Sequence, residues 1–337
     1  MSLIQLDKPQ RIVPGTGPKT AKIAIVGEAP GAHEDIQLKP FVGPAGGVLD
    51  QCLHAAGLTR FEVYLTNVVK VRPKNNVIDP FFNGKTGHFT SEGREWVDKL
   101  QVELNELKPN VVVACGATAL AALTGVPRIL KYRGYFMLST GLTPERKVLP
   151  VIHPAAALRG MYLYRHLISL DLKKAKEQSS TPDLTRPERQ LVFEFGSVEE
   201  VLEWLAYMEV QPRISADIEV LNYELACISL ASSPEVACSI PLTRSWTEGD
   251  ELLIWRALQK VLKNRAVKIF QNGVFDIHFL LTRCGIEVAG PIEDTMIAHS
   301  VMYPELRKGL DFLVSVYCGT QAYYKDMVRF DNIKEES

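Results

Sequence analysis

No run of about twenty apolar residues occurs anywhere in the 337 residues, so nothing in this sequence is built to span a bilayer. The first ten residues, MSLIQLDKPQ, lack the basic start and apolar core of a secretory signal. Cysteine is sparse. Cys52, Cys115, Cys227, Cys238, Cys284 and Cys318 are scattered and form no C-x-x-C pair. That usage predicts reduced thiols in a cytoplasmic setting, mostly as small core residues. An excess of either charge is also missing, with 38 Lys and Arg against 39 Asp and Glu. A binder that depends on neutralising phosphates along a basic tail is thereby excluded, whereas an enzyme with a local basic groove is not.

What is present is a chain long enough for two cores. Lys22 to Val26 is a short apolar run ending in Gly27, as a buried parallel strand should be. Gly46 to Ala56 has helical spacing, and Val63 to Val71, Asn110 to Ala114 and Lys147 to Ile152 read as further buried strands. Ala117 to Leu123 suits a helix. Alternating strands and helices predict an α/β/α layer with a parallel sheet, whose sites lie beyond the carboxyl ends of the strands. Residues 173–189 are charged, contain Ser-Ser and two prolines, and read as a linker between domains at 1–172 and 190–337. Beyond it, Leu191 to Phe195, Ile214 to Val220, Ala226 to Ala231, Val236 to Ile240 and Ala266 to Gln271 are strand-like. Helices are expected at Ser197 to Met208, Asp250 to Leu262 and Gly273 to Cys284. Ser197 and Glu200 have capping-box spacing. The second domain is therefore expected to be a mixed sheet with flanking helices.

Five motifs fall at predicted strand ends in the first domain. They are Gly27-Glu-Ala-Pro-Gly31, Pro40-Phe-Val-Gly43, Thr66-Asn-Val-Val-Lys70 with Arg72-Pro73, Gly116-Ala-Thr-Ala119, and His153-Pro154 with Leu158-Arg159. Taken singly, Glu28 could cap a helix, Phe41 could fill a core and His153 could end a strand; the order of all five carries the functional reading. Together they resemble the uracil-DNA glycosylase superfamily, most closely its family 4, over roughly residues 20–170. Excision of uracil acts on a nucleotide flipped out of the stack and passes through a cationic sugar and an anionic leaving base. The resemblance implies catalytic roles for Glu28, Glu34 and His153. It places Gly27, Gly31, Phe41, Asn67, Asn75, Leu158 and Arg159 on the substrate. Phe41 would stack on uracil, Asn67 would read its edge, and Leu158 would fill the gap left by the flipped base.

Three departures accompany this resemblance. Ala29 stands where the best-known glycosylase family has a water-activating aspartate. Family 4 also implies an iron–sulfur cluster on four cysteines, yet residues 1–21 contain none, Val71 stands at the third position, and the region around Trp96 lacks the fourth. No cluster is therefore expected. Finally, Lys74 to Thr90 is expected to be a long irregular loop, with Asn75, Asn76, Phe81 and Phe82 in it.

In the second domain Asp217-Ile-Glu219 lies in a predicted strand, so both carboxylates point to one face. Asn272-Gly-Val-Phe-Asp276 and Asp294-Thr295 follow. This order resembles the DEDD 3′–5′ exonucleases, ribonuclease H-like in fold, and the family A polymerase proofreading domain in particular. The resemblance implies that Asp217, Glu219 and Asp276 bind Mg²⁺ or Mn²⁺ for phosphodiester hydrolysis. A last Tyr-x-x-x-Asp or His-x-x-x-x-Asp motif is missing, since Tyr317, Tyr323 and Tyr324 are not followed by aspartate four residues on. The expectation is a DNA-acting fragment of a phage-type family A polymerase, cut before that motif and before its polymerase domain, in the host cytoplasm. Uracil-containing DNA is the expected partner, to be excised or, alternatively, only sensed.

Overall fold

A computed structural model describes residues 11–243 and 246–321. Tyr323, Tyr324, Asp326 and Asp331, which bear on the last exonuclease motif, lie outside the described residues. The chain folds as two compact units: residues 11–185 together with 311–321, and 186–310.

The first unit is built on β1 (Ile23–Gly27), β2 (Val63–Asn67), β5 (Val111–Cys115), β6 (Met137–Leu138) and β7 (Lys147–Val151), in the order β2-β1-β5-β7-β6. All pairs are parallel except β6–β7. Every residue of β1, β5 and β7 is buried, which is why these strands are apolar instead of alternating, save for Lys147 at the start of β7, whose ammonium donates to the carbonyl of Gln178 at 2.5 Å. Helices α1 (Ala32–Gln37), α2 (Pro44–Ala55), α3 (Ser91–Leu107), α4 (Ala117–Thr124), α5 (Ile129–Tyr132), α6 (Pro154–Leu158) and α7 (Leu163–Glu177) connect them. Leu100 and Leu104 of α3 and Leu120 and Leu123 of α4 pack on Ala24, Val26, Val112, Ala114 and Val148. Each such leucine stabilises the unit by about 1.5–3 kcal/mol through burial alone.

Several expectations change. β2 stops at Asn67 instead of Val71, because Val68 and Val69 turn their N–H groups to the carbonyls of Gly27 (2.9 Å) and Glu28 (3.0 Å). The stretch from Lys74 to Thr90 is more ordered than expected: a short turn (Lys74–Asn76) precedes an antiparallel ribbon of β3 (Phe82–Asn83) and β4 (His88–Phe89). Phe81 and Phe82 are buried, and Phe81 ties the ribbon to the core of the unit beside Val71 and Leu100. Helix α7 runs five residues into the stretch read as a linker.

The second unit is a mixed six-stranded sheet in the order β13-β12-β9-β10-β11-β8. Its strands are β8 (Gln190–Val192), β9 (Arg213–Leu221), β10 (Glu224–Ala231), β11 (Val236–Pro241), β12 (Val267–Phe270) and β13 (Ile292–Asp294). The flanking helices are α8 (Val198–Glu209), α9 (Glu248–Lys263), α10 (Val274–Cys284) and α11 (Thr295–Met302). Ser197 precedes α8 as its N-cap, but the capping box is not made; Glu200 reaches back to the N–H of Gly196 at 2.7 Å instead.

The last described helix, α12 (Leu310–Tyr317), belongs from Asp311 onward to the first unit and not to the second. The reason is a buried polar clasp. Asp171 accepts from Arg133 Nε (3.1 Å) and Nη2 (2.8 Å), and Lys174 Nζ donates to the carbonyls of Gly134, Ser315 and Cys318. Residue spacing reveals none of this, because α12 lies far along the chain from α7.

Candidate functional site

The first site forms where β1, β2 and β7 end. Gly27 closes β1, and a Cβ there would lie 2.4 Å from Asn67 Oδ1 and 2.7 Å from Phe41 Cζ. Glycine is therefore what lets these two side chains meet over the strand end. Both are nearly buried, each 5% exposed. The Phe41 ring stacks against His153 with centroids 6.2 Å apart and planes 26° apart. Three of the sequence candidates from three different motifs thus lie together at the strand ends.

His153 caps the short helix α6, its Nδ1 accepting the N–H of Ala155 at 3.2 Å. A ring nitrogen that accepts carries no proton, so the neutral ring bears its hydrogen on Nε2. Burial pushes the His153 pKa down to about 4, helped by the Arg159 guanidinium and opposed by Glu34. At neutral pH the imidazole is an uncharged donor through Nε2.

The two acidic candidates differ. Glu28 accepts a hydrogen bond from Thr118 Oγ1, which ties it to the first turn of α4. Glu34 accepts from the backbone N–H groups of Gly31 (3.1 Å), Val42 (3.1 Å) and Gly43 (2.8 Å). Its carboxylate joins the start of α1 to the segment after Phe41, with Gly31 in that joint, and its charge acts on His153. Leu158 and Arg159 are exposed at the end of α6, just beyond His153. Asn75 is exposed in the turn before the ribbon with a left-handed φ of 56°. Thr118 lies in the fourth motif, but its role as the partner of Glu28 appears only when the two are placed side by side.

The second site lies on β9. Ile214, Ala216 and Ile218 face the core while Asp217 and Glu219 face outward, as strand alternation requires. Asp276, on the first turn of α10, accepts the Ile218 N–H at 3.1 Å. Burial and the neighbouring Asp276 and Glu219 hold the Asp217 carboxyl above its ordinary range. Burial raises Asp276 as well, with Asp294 adding to it. Asp294 is different: despite burial, hydrogen bonds from the N–H groups of Gly273 (2.7 Å), Ile297 (3.1 Å), Asn272 (3.3 Å) and Met296 (2.8 Å) keep it low. Among the described residues no three His, Cys, Asp or Glu side chains stand close enough together to hold an ion as they lie. The donors are hard oxygens that repel one another, a set that suits a divalent cation but is not closed around one.

Comparison with known proteins identifies both domains. A family model described as the Uracil DNA glycosylase superfamily matches residues 14–174. A type-4 uracil-DNA glycosylase of Thermotoga maritima is 37% identical over 169 residues, covering 49% of this chain and 81% of that protein. The chain belongs to the uracil-DNA glycosylase superfamily. A second family model, described as 3′-5′ exonuclease, matches residues 197–332, so the glycosylase-superfamily domain is followed by an exonuclease domain. A DNA polymerase of Bacillus phage SP01 is 26% identical over 323 residues, covering 86% of this chain and 33% of the polymerase. The chain thus matches both domains but spans only a third of that polymerase. Escherichia coli RNase D, a solved structure, overlays 40% of this chain and 34% of its own with a TM-score of 0.31 and 20% identity. No helix among the described residues is long and apolar enough to cross a membrane.

Proposed function

We propose that the first unit excises uracil from DNA. A flipped uracil would stack on Phe41, and the Asn67 amide would pair with its O4 and N3–H edge. As the C1′–N1 bond breaks, its electron pair moves onto the base, and negative charge develops at O2. The Nε2–H of neutral His153 would donate to that oxygen, a contribution of about 3 kcal/mol for a preorganised donor. Glu28 would offset the positive charge on the sugar while water adds at C1′ and its proton passes to the departing uracil anion. Leu158 would occupy the vacated stack, with Arg159 toward the phosphates. The observation that carries this reading is the tautomer of His153: Ala155 holds its Nδ1 as an acceptor, and burial keeps the ring neutral.

The unit is further proposed to work without an iron–sulfur cluster. Val71, standing where a ligand cysteine is expected, is 3% exposed and packs in one apolar core with Phe81, Leu100 and the partly buried Phe89 and Trp96. Such a position offers no thiolate and no room for inorganic sulfide. Iron at stoichiometric level in purified protein would contradict this.

The second unit is proposed to bind Mg²⁺ or Mn²⁺ through Asp217, Glu219 and Asp276, the ion supplying Lewis acidity for phosphodiester hydrolysis. Asp294, bound by four backbone N–H groups, anchors the start of α11 beside them.

The decisive assay is single-turnover release of uracil from labelled single-stranded and duplex oligonucleotides. Excision by the parent chain, lost in His153→Ala, supports the reading. Tight uracil-selective binding with no release would reduce the pocket to a sensor, a reading that Ala29 favours because it supplies no carboxylate to activate water.

A further inference from the structure

Phe41 is the one aromatic residue of the pocket whose backbone is strained. Its φ is 53°, a left-handed conformation that an aromatic residue rarely adopts and that its surroundings must hold in place. Its carbonyl is turned onto the start of α2, where a Cβ on Gly46 would lie 1.8 Å from the oxygen, so only glycine admits it there. Arg60, in the turn between α2 and β2, meets that carbonyl: Nη2 donates to Phe41 O at 2.6 Å and Nη1 to Pro40 O at 3.3 Å. The guanidinium is itself aimed by Asp50, which accepts from Nε at 2.9 Å and lies 2.8 Å from Nη2. On the far side of the same segment Glu34 accepts the N–H groups of Val42 and Gly43.

We propose that Arg60 is a positioning residue for uracil excision, holding Phe41 in its left-handed conformation so that its ring lies flat against the His153 side of the pocket. The inference rests on the reading of Phe41 as the surface on which uracil stacks. A planar fork with several donors suits the task, because two adjacent carbonyls and a carboxylate must be met at once. A lysine at this position has a single ammonium and cannot reproduce the arrangement. Released from Arg60, Phe41 returns to an ordinary φ and its ring leaves the face of the pocket. Arg60 touches no reacting atom and acts only through Phe41.

A double-mutant cycle on the full chain tests this, read as single-turnover uracil release and as affinity for the same uracil-containing single strand. Arg60→Ala is expected to weaken the uracil-dependent signal by about 10- to 100-fold, as for lost hydrogen bonds to a charged group. Placed in a Phe41→Ala background, it should add less than about twofold, because residues acting through one another are not additive. Arg60→Lys, which keeps the charge beside Asp50, should show most of the defect and serves if Arg60→Ala does not fold. A cleft of about 740 Å³ lined by Arg60, Lys39, Phe41, Val42, Gly43 and Phe61 opens to solvent. Added guanidinium should therefore reach the space left in Arg60→Ala and restore part of the signal, which a merely destabilised fold would not show. A crippled Phe41→Ala beside an unaffected Arg60→Ala and Arg60→Lys, or effects that multiply in the double variant, would overturn the role of Arg60 alone. A Phe41→Ala protein equal to the parent would overturn the pocket itself, and the positioning role with it.

Discussion

The two sites handle charge in opposite ways. Around His153 the protein removes charge: burial holds the ring neutral, a backbone N–H selects its tautomer, and Phe41 and Asn67 crowd the space over Gly27 where a Cβ would lie. On β9 the protein concentrates charge: burial with the neighbouring Asp276 and Glu219 raises Asp217, burial with Asp294 raises Asp276, and among the described residues the carboxylates do not converge to ligating distance. A neutral base can be received by a finished pocket, because desolvated dipoles cost nothing further when it arrives. A cluster of carboxylates cannot be finished without its counter-charge, since closing it in the absence of a cation would increase the repulsion.

The sharpest way to break the comparison is His153→Ala. If the pocket is preorganised around this donor, single-turnover excision should fall by about 10²–10³-fold while affinity for the strand hardly changes. Equal losses of binding and rate would show that the imidazole shapes the pocket and is not its donor. Next comes Asn67→Asp, which replaces an amide donor by an acceptor on the uracil edge. Discrimination of uracil from cytosine should fall by about 1–3 kcal/mol, measured with paired oligonucleotides. Unchanged discrimination would mean that base choice lies elsewhere.

The pH dependence sharpens the contrast further. A histidine held down to about 4 is neutral throughout the physiological range, so excision should show no break near the ordinary histidine value and should fall only as pH approaches 4. The same depression makes stability decline as pH falls from the unfolded histidine range toward 4, because the unfolded chain binds the proton first. The carboxyls of the second site run the other way. Asp217 and Asp276 are raised, so their contribution is most favourable in acid and is lost as pH rises through the raised values. A rate profile breaking near pH 6.5 and abolished by His153→Ala would show that the ring is not desolvated.

The smallest expected effect is thermal. Mg²⁺ or Mn²⁺ at ten times its dissociation constant should stabilise the second unit by about 1.4 kcal/mol, read as an increase in Tm. Asp217→Asn should raise Tm without metal, by removing one repelling charge, and should reduce the metal response. No shift in the parent, or an equal shift in the variant, would contradict the proposed ion site.

The largely apolar strands β1, β5 and β7, their Gly and His endings, and the alternation that places Asp217 and Glu219 on one face were all legible in the sequence, because strand burial and period are local properties. So was the order of two domains, since each motif set carries its own spacing. The sequence could not show that Glu34 accepts three backbone N–H groups, that Thr118 holds Glu28, or that Arg60 meets the carbonyl of Phe41. Nor could it show that residues from Asp311 pack with the first unit through Arg133, Asp171 and Lys174. These contacts join segments 19 to 182 residues apart along the chain for Arg60 and Arg133, and no periodicity records them. Local pattern determines which residues are buried and which strand ends are polar. Only the closed chain decides which buried polar group is satisfied by which partner, because a lost hydrogen bond in the interior is too costly to leave unmade and the partner comes from wherever the fold brings one.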